Sequence, residues 1–346
     1  MLLYIHIPFC DSKCYYCSFN SYTDILYLKE EYFKALKKQL LFELKRFNLK
    51  KLTSIYIGGG TPSAVNANLY EDIFKTLTPF ITSDTEITTE ANPNSLTNEW
   101  IKDMKSFGVN RVSLGVQSFD DKKLRFLGRN HNSLEAKKAI ETSLNYIDNL
   151  SIDLIYDTIL DNKNLLKNDL KTAFSFPITH LSSYSLTIEK GTTFFKKQNL
   201  TKDDQNLSVW FINQIKNSGF LQYEISNFAK KKSIHNLGYW QGKDYIGVGS
   251  GAVGFLKNKR FYPTKNVKEY IKNPLKIEVE NLTIKNLIDE KIFLGLRSEV
   301  GVDIKLLDNK KVKILLDEDK VILKNNRIFN KDYFLADTIA LFLMQD

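Results

Sequence analysis

Cysteine is scarce in this sequence, and its distribution excludes several classes of protein. The chain of 346 residues has three cysteines, and all of them, Cys10, Cys14 and Cys17, lie near the first residue. No cysteine remains for a second C-x2-C pair, which a zinc ribbon would need. An odd, crowded set of cysteines also argues against the disulfide framework of a small secreted domain.

Long apolar runs, leader sequences and repeats are missing as well. No segment reaches about 18 consecutive apolar residues, and the first residues lack the basic and apolar regions of a secretory leader. There is no low-complexity tract and no repeat at solenoid periods. Hydrophobic residues at 43% predict a folded chain. We therefore expect a soluble, cytoplasmic protein without a transmembrane segment.

The charge of the chain does not identify a partner. Lysine and arginine outnumber aspartate and glutamate by 49 to 40, which gives a formal charge of +9 and an isoelectric point near 9.1. Nucleic acid, an anionic membrane surface and a carboxylate-bearing small molecule would all suit such a chain. The charges are dispersed without a long basic block, so a lysine-rich solvated surface explains them equally well.

The cysteine spacing, C-x3-C-x2-C, is the most specific feature of the sequence. Three thiolates from one short loop can hold three irons of a 4Fe-4S cluster and leave the fourth iron open to another ligand. A zinc site with His6 as the fourth ligand is the alternative. It would require His6 to leave the alternating strand pattern of residues 3–7 and turn back into the loop.

Strand-like and helix-like segments alternate over the first two thirds of the chain. Strands are predicted at 2–7, 54–57, 86–90, 111–116, 151–156 and 180–186, with helices at 25–47, 69–77, 99–107, 134–146 and 165–173. Six such units predict an α/β fold with a parallel sheet, curled into a partial (β/α)6 barrel whose site lies at the carboxyl ends of the strands. The cysteine loop directly follows the first strand, so it should lie at that rim.

The length favours two domains, because 346 residues exceed the usual size of a single core. The pattern changes near residue 240, where a glycine-rich segment at 247–251 is followed by a predicted helix at 287–296 and a hairpin at 321–329. We predict a domain of residues 1–240 that carries the site and a small C-terminal α+β domain of residues 241–346.

Polar and glycine residues mark the ends of successive predicted strands. A glycine run at 58–60, followed by Thr61 and Pro62, ends the second strand, and glycine lets backbone approach a ligand closely. Glu90 ends the third strand, Gln117 follows the fourth and Asp153 lies in the fifth. A tight turn would explain the glycine run alone, but its position after a cysteine triad favours a cofactor site.

Together these segments resemble a known family, the radical S-adenosylmethionine (SAM) proteins, in the branch of the oxygen-independent coproporphyrinogen III oxidases and the HemW-type haem chaperones. The resemblance covers nearly the whole chain. It rests on YIHIPFC at 4–10 with the cysteine triad, GGGTPS at 58–63, EANP at 90–93, GVQSF at 115–119, LGR at 127–129, IDLIY at 152–156, YEISNFA at 223–229 and HNLGYW at 235–240.

The resemblance implies cofactors and the residues that hold them. Cys10, Cys14 and Cys17 would ligate one 4Fe-4S cluster, whose open iron is chelated by the amino and carboxylate groups of SAM. The residues implied at the SAM site are Tyr4, Tyr16, Gly59, Gly60, Thr61, Glu90, Gln117, Arg129 and Asp153. Taken singly, several of them have simpler interpretations, such as a surface ion pair for Arg129.

Three features favour the chaperones over the oxidases within this branch. The oxidases carry a further cysteine two residues after the triad, where this chain has Phe19, and an extension ahead of the first strand. The segment HNLGYW matches the HNxxYW signature associated with haem binding, with His235 as ligand of haem b. We therefore expect a haem chaperone that delivers haem to respiratory apoproteins, without coproporphyrinogen oxidase activity. The alternative is an oxygen-independent coproporphyrinogen III oxidase that decarboxylates porphyrinogen propionates.

The same resemblance implies a place of action and contains two departures. The chaperones act at the membrane face, so a cytoplasmic, peripheral location without nucleic acid is expected. The branch usually has a Gly-Leu-Pro-Gly-Gln-like turn after the fifth strand, whereas residues 157–162 read DTILDN. Val253 stands where the chaperones often have histidine.

Overall fold

Strands and helices alternate in the first half of the protein, in a computed structural model that describes residues 1–345. The strands are β1 (Leu2–Ile7), β2 (Ser54–Gly59), β3 (Glu86–Ala91), β4 (Arg111–Gln117), β5 (Leu150–Tyr156) and β6 (His180–Ser185). The helices between them are α1 (Lys29–Arg46), α2 (Asn68–Leu77), α3 (Asn98–Ser106), α4 (Asp121–Phe126), α5 (Ser133–Leu144) and α6 (Lys163–Phe174). The predicted strands and helices agree with these bounds to within a few residues.

Side-chain caps fix where several of these helices begin. The Thr97 side chain accepts a hydrogen bond from the backbone of Trp100 at the start of α3. Asn132 and Glu135 form a reciprocal capping box at the start of α5. Such caps satisfy backbone amides that would otherwise lack a partner. They therefore set where the loop after β3 and the loop between α4 and α5 end.

The strands form one twelve-stranded sheet, whose order places β1 to β6 side by side in chain order. All neighbours among β1 to β6 are parallel. The sheet continues beyond β6 with β8 (Asn227–Ala229) and β7 (Leu221–Gln222), after α7 (Gln205–Asn217). On the other side, β1 pairs in parallel with β9 (Tyr245–Val248), which follows α8 (Ile234–Trp240). The cysteine loop therefore leaves a strand that has a neighbour on both sides.

The sheet ends beyond β9 with antiparallel strands. These are β10 (Gly254–Leu256), β11 (Lys259–Pro263) and β12 (Ile277–Asn281), with α9 (Val267–Lys272) between the last two. The main sheet thus runs on to Asn281. The division of the chain after residue 240 stays a prediction.

The last part of the chain has a hydrophobic cluster of its own. It contains α10 (Ile284–Leu296), β13 (Val302–Asp303), α11 (Asn309–Asp317), β14 (Val321–Lys324), β15 (Arg327–Asn330) and α12 (Ala336–Met344). β13, β15 and β14 form a small antiparallel sheet, which includes the predicted hairpin. Ile292, Leu296, Ile328 and Ile339 are among the buried residues of this cluster.

The two faces of the parallel strands differ in chemistry. Val112, Leu114 and Val116 of β4 belong to the main hydrophobic core. The alternate residues Arg111 and Ser113 line a cavity instead. Because successive side chains of a strand point to opposite faces, each strand supplies one apolar and one polar row. The predicted α/β class is confirmed, with six parallel strands around a polar interior.

One expectation about membranes can be compared directly with the helices. Within residues 1–345, no helix combines the length and the apolar character needed to cross a lipid bilayer.

Candidate functional site

The cysteine loop opens into a cavity of about 510 Å³ inside the sheet. Strands β1 to β6 and α8 all contribute side chains to its wall. Every residue predicted for the site lines this cavity: Tyr4, Cys10, Cys14, Tyr16, Cys17, Gly59, Gly60, Thr61, Glu90, Gln117, Arg129, Asp153 and His235. A cavity of this size lies within the range of small-molecule sites. Residues from eight separate segments therefore converge on one space.

Backbone hydrogen bonds hold both ends of the cysteine loop. The Cys10 amide donates to the carbonyl of Tyr22 at 3.0 Å, and the Tyr22 amide donates to Pro8 at 2.8 Å. The Lys13 ammonium closes the loop from inside, because it donates to the carbonyl of Phe19 at 2.8 Å and to the Ser21 hydroxyl at 2.7 Å. Hydrogen bonds within the chain thus hold the cysteine loop in place.

The three thiols are free and differ in exposure. Cys10 is buried, whereas Cys14 and Cys17 are half-buried. Burial raises the pKa of the Cys10 thiol, and the hydroxyls of Thr61 and Ser21 partly offset that effect. The Thr61 hydroxyl lies 3.4 Å from Cys10 Sγ. Cys10 therefore meets hydroxyl donors that can stabilise a thiolate.

His6 has partners for both of its ring nitrogens. Nδ1 lies 2.9 Å from the Tyr4 hydroxyl, and Nε2 lies 2.8 Å from the carbonyl of Asn20. Among residues 1–345, no group of three or more His, Cys, Asp or Glu side chains, the cysteine triad included, is arranged to hold a metal ion, which bears equally on zinc and on a cluster. These contacts give His6 a role in tying the cysteine loop to β1, and they disfavour the zinc interpretation.

Arg129 links the cysteine loop to two neighbouring strands. Its Nη1 donates to Cys14 Sγ at 3.2 Å. Its Nη2 donates to Asn92 Oδ1 at 2.8 Å and to the carbonyl of Gly115 at 2.7 Å. Tyr16, in the loop itself, has a raised pKa because of burial. The simple interpretation of Arg129 as a surface pair partner does not describe these contacts.

Packing within the chain explains the glycine run at the end of β2. A Cβ on Gly59 would lie 2.4 Å from the His6 ring, and one on Gly60 would lie 2.7 Å from the carbonyl oxygen of Phe9. The amides of Gly59, Gly60 and Thr61 donate to Glu90, Ile7 and Phe9 respectively. The glycine run can therefore present its carbonyl oxygens to a ligand, because its amide groups already have partners.

Two carboxyl groups face the cavity from β3 and β5. Glu90 accepts hydrogen bonds from the Tyr56 hydroxyl at 2.8 Å and from the Gly59 amide at 3.1 Å. Burial nevertheless raises the pKa of Glu90 to about 7. Burial also raises the pKa of Asp153, which accepts a hydrogen bond from the Ser113 hydroxyl at 3.1 Å. Glu90 thus titrates in the neutral range.

Gln117 occupies a strained position at the rim. Its φ of 68° lies in the left-handed region, which residues other than glycine seldom adopt. The pairing of β4 with β5 shifts register between Leu114 and Gln117. Such irregular backbone often accompanies functional sites because surrounding contacts must hold it in place.

His235 lies at the opposite end of the cavity from the cysteines. Its side chain is 1% exposed, and Nδ1 lies 2.8 Å from the hydroxyl of Ser54, the first residue of β2. Nε2 is buried without a hydrogen-bond partner within residues 1–345. Burial lowers the pKa of His235 to about 3, so the imidazole is neutral, and Nε2 carries the lone pair in the tautomer whose Nδ1–H donates to Ser54.

Glu86 fixes the segment that carries His235. Its carboxylate accepts hydrogen bonds from the amides of Ile234 and His235, both at 3.0 Å. The Tyr239 ring packs edge-on against His235 with 4.8 Å between ring centres. Tyr239 lines this cavity and a neighbouring one of about 650 Å³, whereas Trp240 lines neither.

The two departures from the family pattern lie in different places. In the segment after β5, the Asp161 carboxylate accepts hydrogen bonds from the amide and hydroxyl of Thr158 and from the fully buried Lys123 ammonium. A buried ion pair therefore fixes the rim after β5. Val253 lines the neighbouring cavity, together with Tyr245, Phe255 and other apolar residues.

Several polar residues of the interior were not predicted from the sequence. Arg111, His180, Ser182 and Asn227 line the cavity. The signal was present in β4, where Arg111, Ser113, Gly115 and Gln117 alternate with apolar residues. A polar row of this kind marks the inward face of a strand once the other face is known to carry helices.

The chain is similar to known proteins over most of its length. Residues 4–162 match the family model of the radical SAM superfamily. The chain is 34% identical to the heme chaperone HemW of Lactococcus lactis, over 89% of this chain and 84% of that protein. It is 35% identical to the heme chaperone HemW of Bacillus subtilis, over 89% and 86%.

A solved structure shares the fold. The coproporphyrinogen III oxidase HemN of Escherichia coli, a radical SAM enzyme, superimposes with a TM-score of 0.82 over 99% of this chain and 89% of that one. The two sequences are 20% identical, so this likeness concerns the fold alone.

Proposed function

The chain belongs to the radical SAM superfamily and, within it, to the family of the heme chaperone HemW, and from that premise we propose that it binds haem and hands it to other proteins. The proposal includes one 4Fe-4S cluster and SAM as cofactors and haem b as cargo. The observation that carries it is the single cavity with three free thiols at one end and the unpartnered Nε2 of His235 at the other.

The donor set at the cysteine loop suits a cluster with one open iron. Cys10, Cys14 and Cys17 would hold three irons, and no fourth cysteine exists in the chain. When bound, such a cluster supplies an open coordination position and one electron to SAM. Lys13 and the backbone of Tyr22 would hold the cysteine loop, so that the three thiols lie at one end of the cavity.

The polar groups around the loop suit SAM. The carbonyl oxygens of Gly59 and Gly60 can accept hydrogen bonds from its ammonium group, since the amides of this run are already engaged. Glu90 can accept hydrogen bonds from ribose hydroxyls when it is ionised. We assign Tyr4, Tyr16, Thr61, Gln117, Arg129 and Asp153 to the same site. Their common position around one cavity supports this assignment.

His235 has the properties of a haem ligand. It is neutral at physiological pH, and when its Nδ1–H donates to Ser54 the Nε2 atom, which has no hydrogen-bond partner, would have a lone pair for iron. The rings of Tyr56 and Tyr239 pack against it, with centres 5.2 Å and 4.8 Å away. Aromatic side chains of this kind suit contact with a macrocycle.

The volume of the cavity makes haem and SAM competitors. The proposed SAM and haem positions lie toward different ends of one cavity, but about 510 Å³ is room for one ligand of drug-like size rather than for both. Binding of SAM beside the cluster would then weaken haem binding on His235. SAM would thereby act as a release signal for haem.

We further propose that this protein lacks coproporphyrinogen oxidase activity. The support is Phe19, which lines the cavity where the oxidases have a further cysteine. Delivery to respiratory apoproteins and action at the membrane face, in the cytoplasm, complete the proposal. The membership in the HemW family supports them.

One reconstitution experiment tests the proposed function. The protein is reconstituted anaerobically with iron and sulfide, and its absorption spectrum is recorded with and without haem. We expect one oxygen-sensitive 4Fe-4S cluster and a haem band that saturates at one equivalent. Cys14→Ala should lose the cluster, and His235→Ala should change or lose the haem band while the cluster persists. A wild type that fails to bind haem would refute the chaperone function, and turnover of coproporphyrinogen III would favour the oxidase.

A further inference from the structure

Arg111 is a buried cation without a counter-ion in direct contact. It is the first residue of β4, its side chain lines the cavity, and the residue is 2% exposed. Its Nε has no hydrogen-bond partner, and no ion pair joins its guanidinium to any carboxylate within residues 1–345. By contrast, Arg129 in the same cavity donates three hydrogen bonds.

A buried, unpaired guanidinium is unfavourable, since the charge has left water without gaining a partner. Burial raises the pKa of Glu90 and of Asp153 and the charge of Arg111 partly offsets that rise, but no ion pair joins the guanidinium to either carboxyl group. Glu90 is engaged by Tyr56 and Gly59, and its pKa of about 7 leaves it partly neutral at physiological pH. Asp153 is engaged by Ser113. The guanidinium therefore has unused donors that face the cavity.

Arg111 lies in the part of the cavity that contains His235. Arg111 is in register with Thr88 of β3 and, through it, with Tyr56 of β2. The ring centre of Tyr56 lies 5.2 Å from that of His235. After burial, the charge of Arg111 is the second cause of the low pKa of both His235 and His180. A cationic donor and a neutral nitrogen, both without partners, thus face the same space.

We propose that Arg111 binds a carboxylate of the ligand that occupies this end of the cavity. The planar guanidinium matches a carboxylate through two parallel hydrogen bonds, which gives orientation as well as affinity. The inference rests on the proposed function, in which the ligand is haem and the carboxylate is a propionate. His235 would hold the iron, and Arg111 would set the rotation of the macrocycle about it.

SAM also carries a carboxylate, but its predicted site lies elsewhere in the cavity. Arg111 and Gln117 are the two ends of β4, which six residue steps separate by roughly 20 Å. The cysteine loop, Gln117 and Arg129 lie toward the Gln117 end, whereas Tyr4, which is in register with Arg111 through β2 and β3, lies nearer to Arg111. In the proposed function the carboxylate of SAM goes to the open iron at the cysteine loop. We therefore expect Arg111 to serve haem and to leave SAM binding unchanged.

The test varies the ligand as well as the protein. Affinities of the reconstituted protein for haem and for haem dimethyl ester, whose propionates are uncharged, are measured by absorption titration. Wild type should bind haem about 10- to 100-fold more tightly than the ester, the range expected for a hydrogen-bonded charge. Arg111→Met should lose that preference and bind the two compounds alike.

Two further variants and one further ligand complete the design. Arg111→Lys keeps the positive charge but loses the planar guanidinium, so it should retain part of the preference for haem over its ester. Arg125→Met removes an exposed arginine and should behave as wild type. The affinity for SAM, measured without haem, should stay within about twofold of wild type in Arg111→Met, well under the effect of a lost charged hydrogen bond.

Each contrary result has a distinct meaning. Equal wild-type affinity for haem and its ester would overturn the subsite and leave the haem function intact, and this comparison requires no variant to fold. An Arg111→Met protein that weakens SAM but keeps the haem preference would reassign the guanidinium to SAM. A wild type that binds neither porphyrin would refute the haem function, and the propionate subsite with it.

Discussion

Nη1 of Arg129 lies 3.2 Å from Sγ of Cys14, although the two residues are 115 positions apart in the chain. The contact places a permanent positive charge beside a predicted cluster ligand. Charge and hydrogen bonds at the sulfur atoms are among the factors that set the reduction potential of a cluster. Arg129 is therefore in a position to affect the reduction potential of the proposed cluster.

Arg129→Met should lower the midpoint potential of the reconstituted cluster by tens of millivolts, because a cation stabilises the more negative, reduced state. Spectroelectrochemical titration would measure the shift. Arg125→Met is the matched control and should leave the potential unchanged, since Arg125 is exposed. An Arg129→Met protein with the wild-type potential would remove Arg129 from this role.

Gly60→Ala should reduce cluster occupancy. Its new Cβ would lie 2.7 Å from the Phe9 carbonyl oxygen and 3.0 Å from Cys10 Sγ, so the loop would have to move. Gly219→Ala is a useful control because a Cβ there meets nothing within 4 Å, although its positive φ strains the substitution too. Iron and sulfide per protein are the measurement. Full occupancy in Gly60→Ala would mean that the loop tolerates the displacement.

SAM affinity should rise with pH because of Glu90. Its pKa of about 7 means that the ionised fraction grows from about one tenth at pH 6 to about nine tenths at pH 8. If ribose hydroxyls require the carboxylate, the apparent Kd should fall by up to about tenfold over this range. Calorimetric titrations at several pH values would measure it. Glu90→Gln should bind weakly and without this slope; a Gln variant that keeps the slope would assign the titration to another group.

SAM should weaken haem binding if the two ligands share one cavity. At SAM concentrations tenfold above its Kd, the apparent Kd of haem should rise about elevenfold. Haem titrations at increasing SAM would show the effect, with free methionine as a control of much smaller volume. Haem affinity that does not respond to saturating SAM would place the two ligands in separate spaces, and the neighbouring cavity beside Tyr239 would become the candidate for haem.

Lys123→Met should destabilise the protein strongly. The Lys123 ammonium lies 2.6 Å from Asp161, both side chains are fully buried, and the change would leave the carboxylate without its counter-ion. Removing one partner of a buried pair costs about 3 to 5 kcal/mol. The exposed pair of Lys75 and Glu71 provides the control, and Lys75→Met should cost far less, because solvent screens that pair. Urea denaturation compares the two, and similar losses would contradict the argument.

Local sequence signals predicted the parallel half of the sheet well. β1 has its predicted bounds, and β2 to β5 differ by one or two residues at their ends. These strands have apolar rows, and turns or helix caps surround them, so their signals are local. The same holds for the hairpin of β14 and β15.

Long-range contacts in the site could not be predicted in this way. The His235 side chain contacts the hydroxyl of Ser54, which lies 181 positions away in the chain. Nothing near His235 in the sequence indicates that its Nε2 is buried. The glycine run was expected to make room for a ligand, whereas His6 and Phe9 fill that space. Such facts depend on which strands become neighbours. The unpaired state of Arg111 is of the same kind.

The place of β9 beside β1 has a consequence for the order of synthesis. Asn20, at the end of the cysteine loop, donates to the carbonyl of Ser250 at 3.0 Å, and these residues lie 230 positions apart. The ribosome therefore releases the three cysteines long before it makes the strand that completes their surroundings. A cluster offered to the emerging chain would meet a loop still lacking this anchor, so its insertion belongs after translation has passed β9.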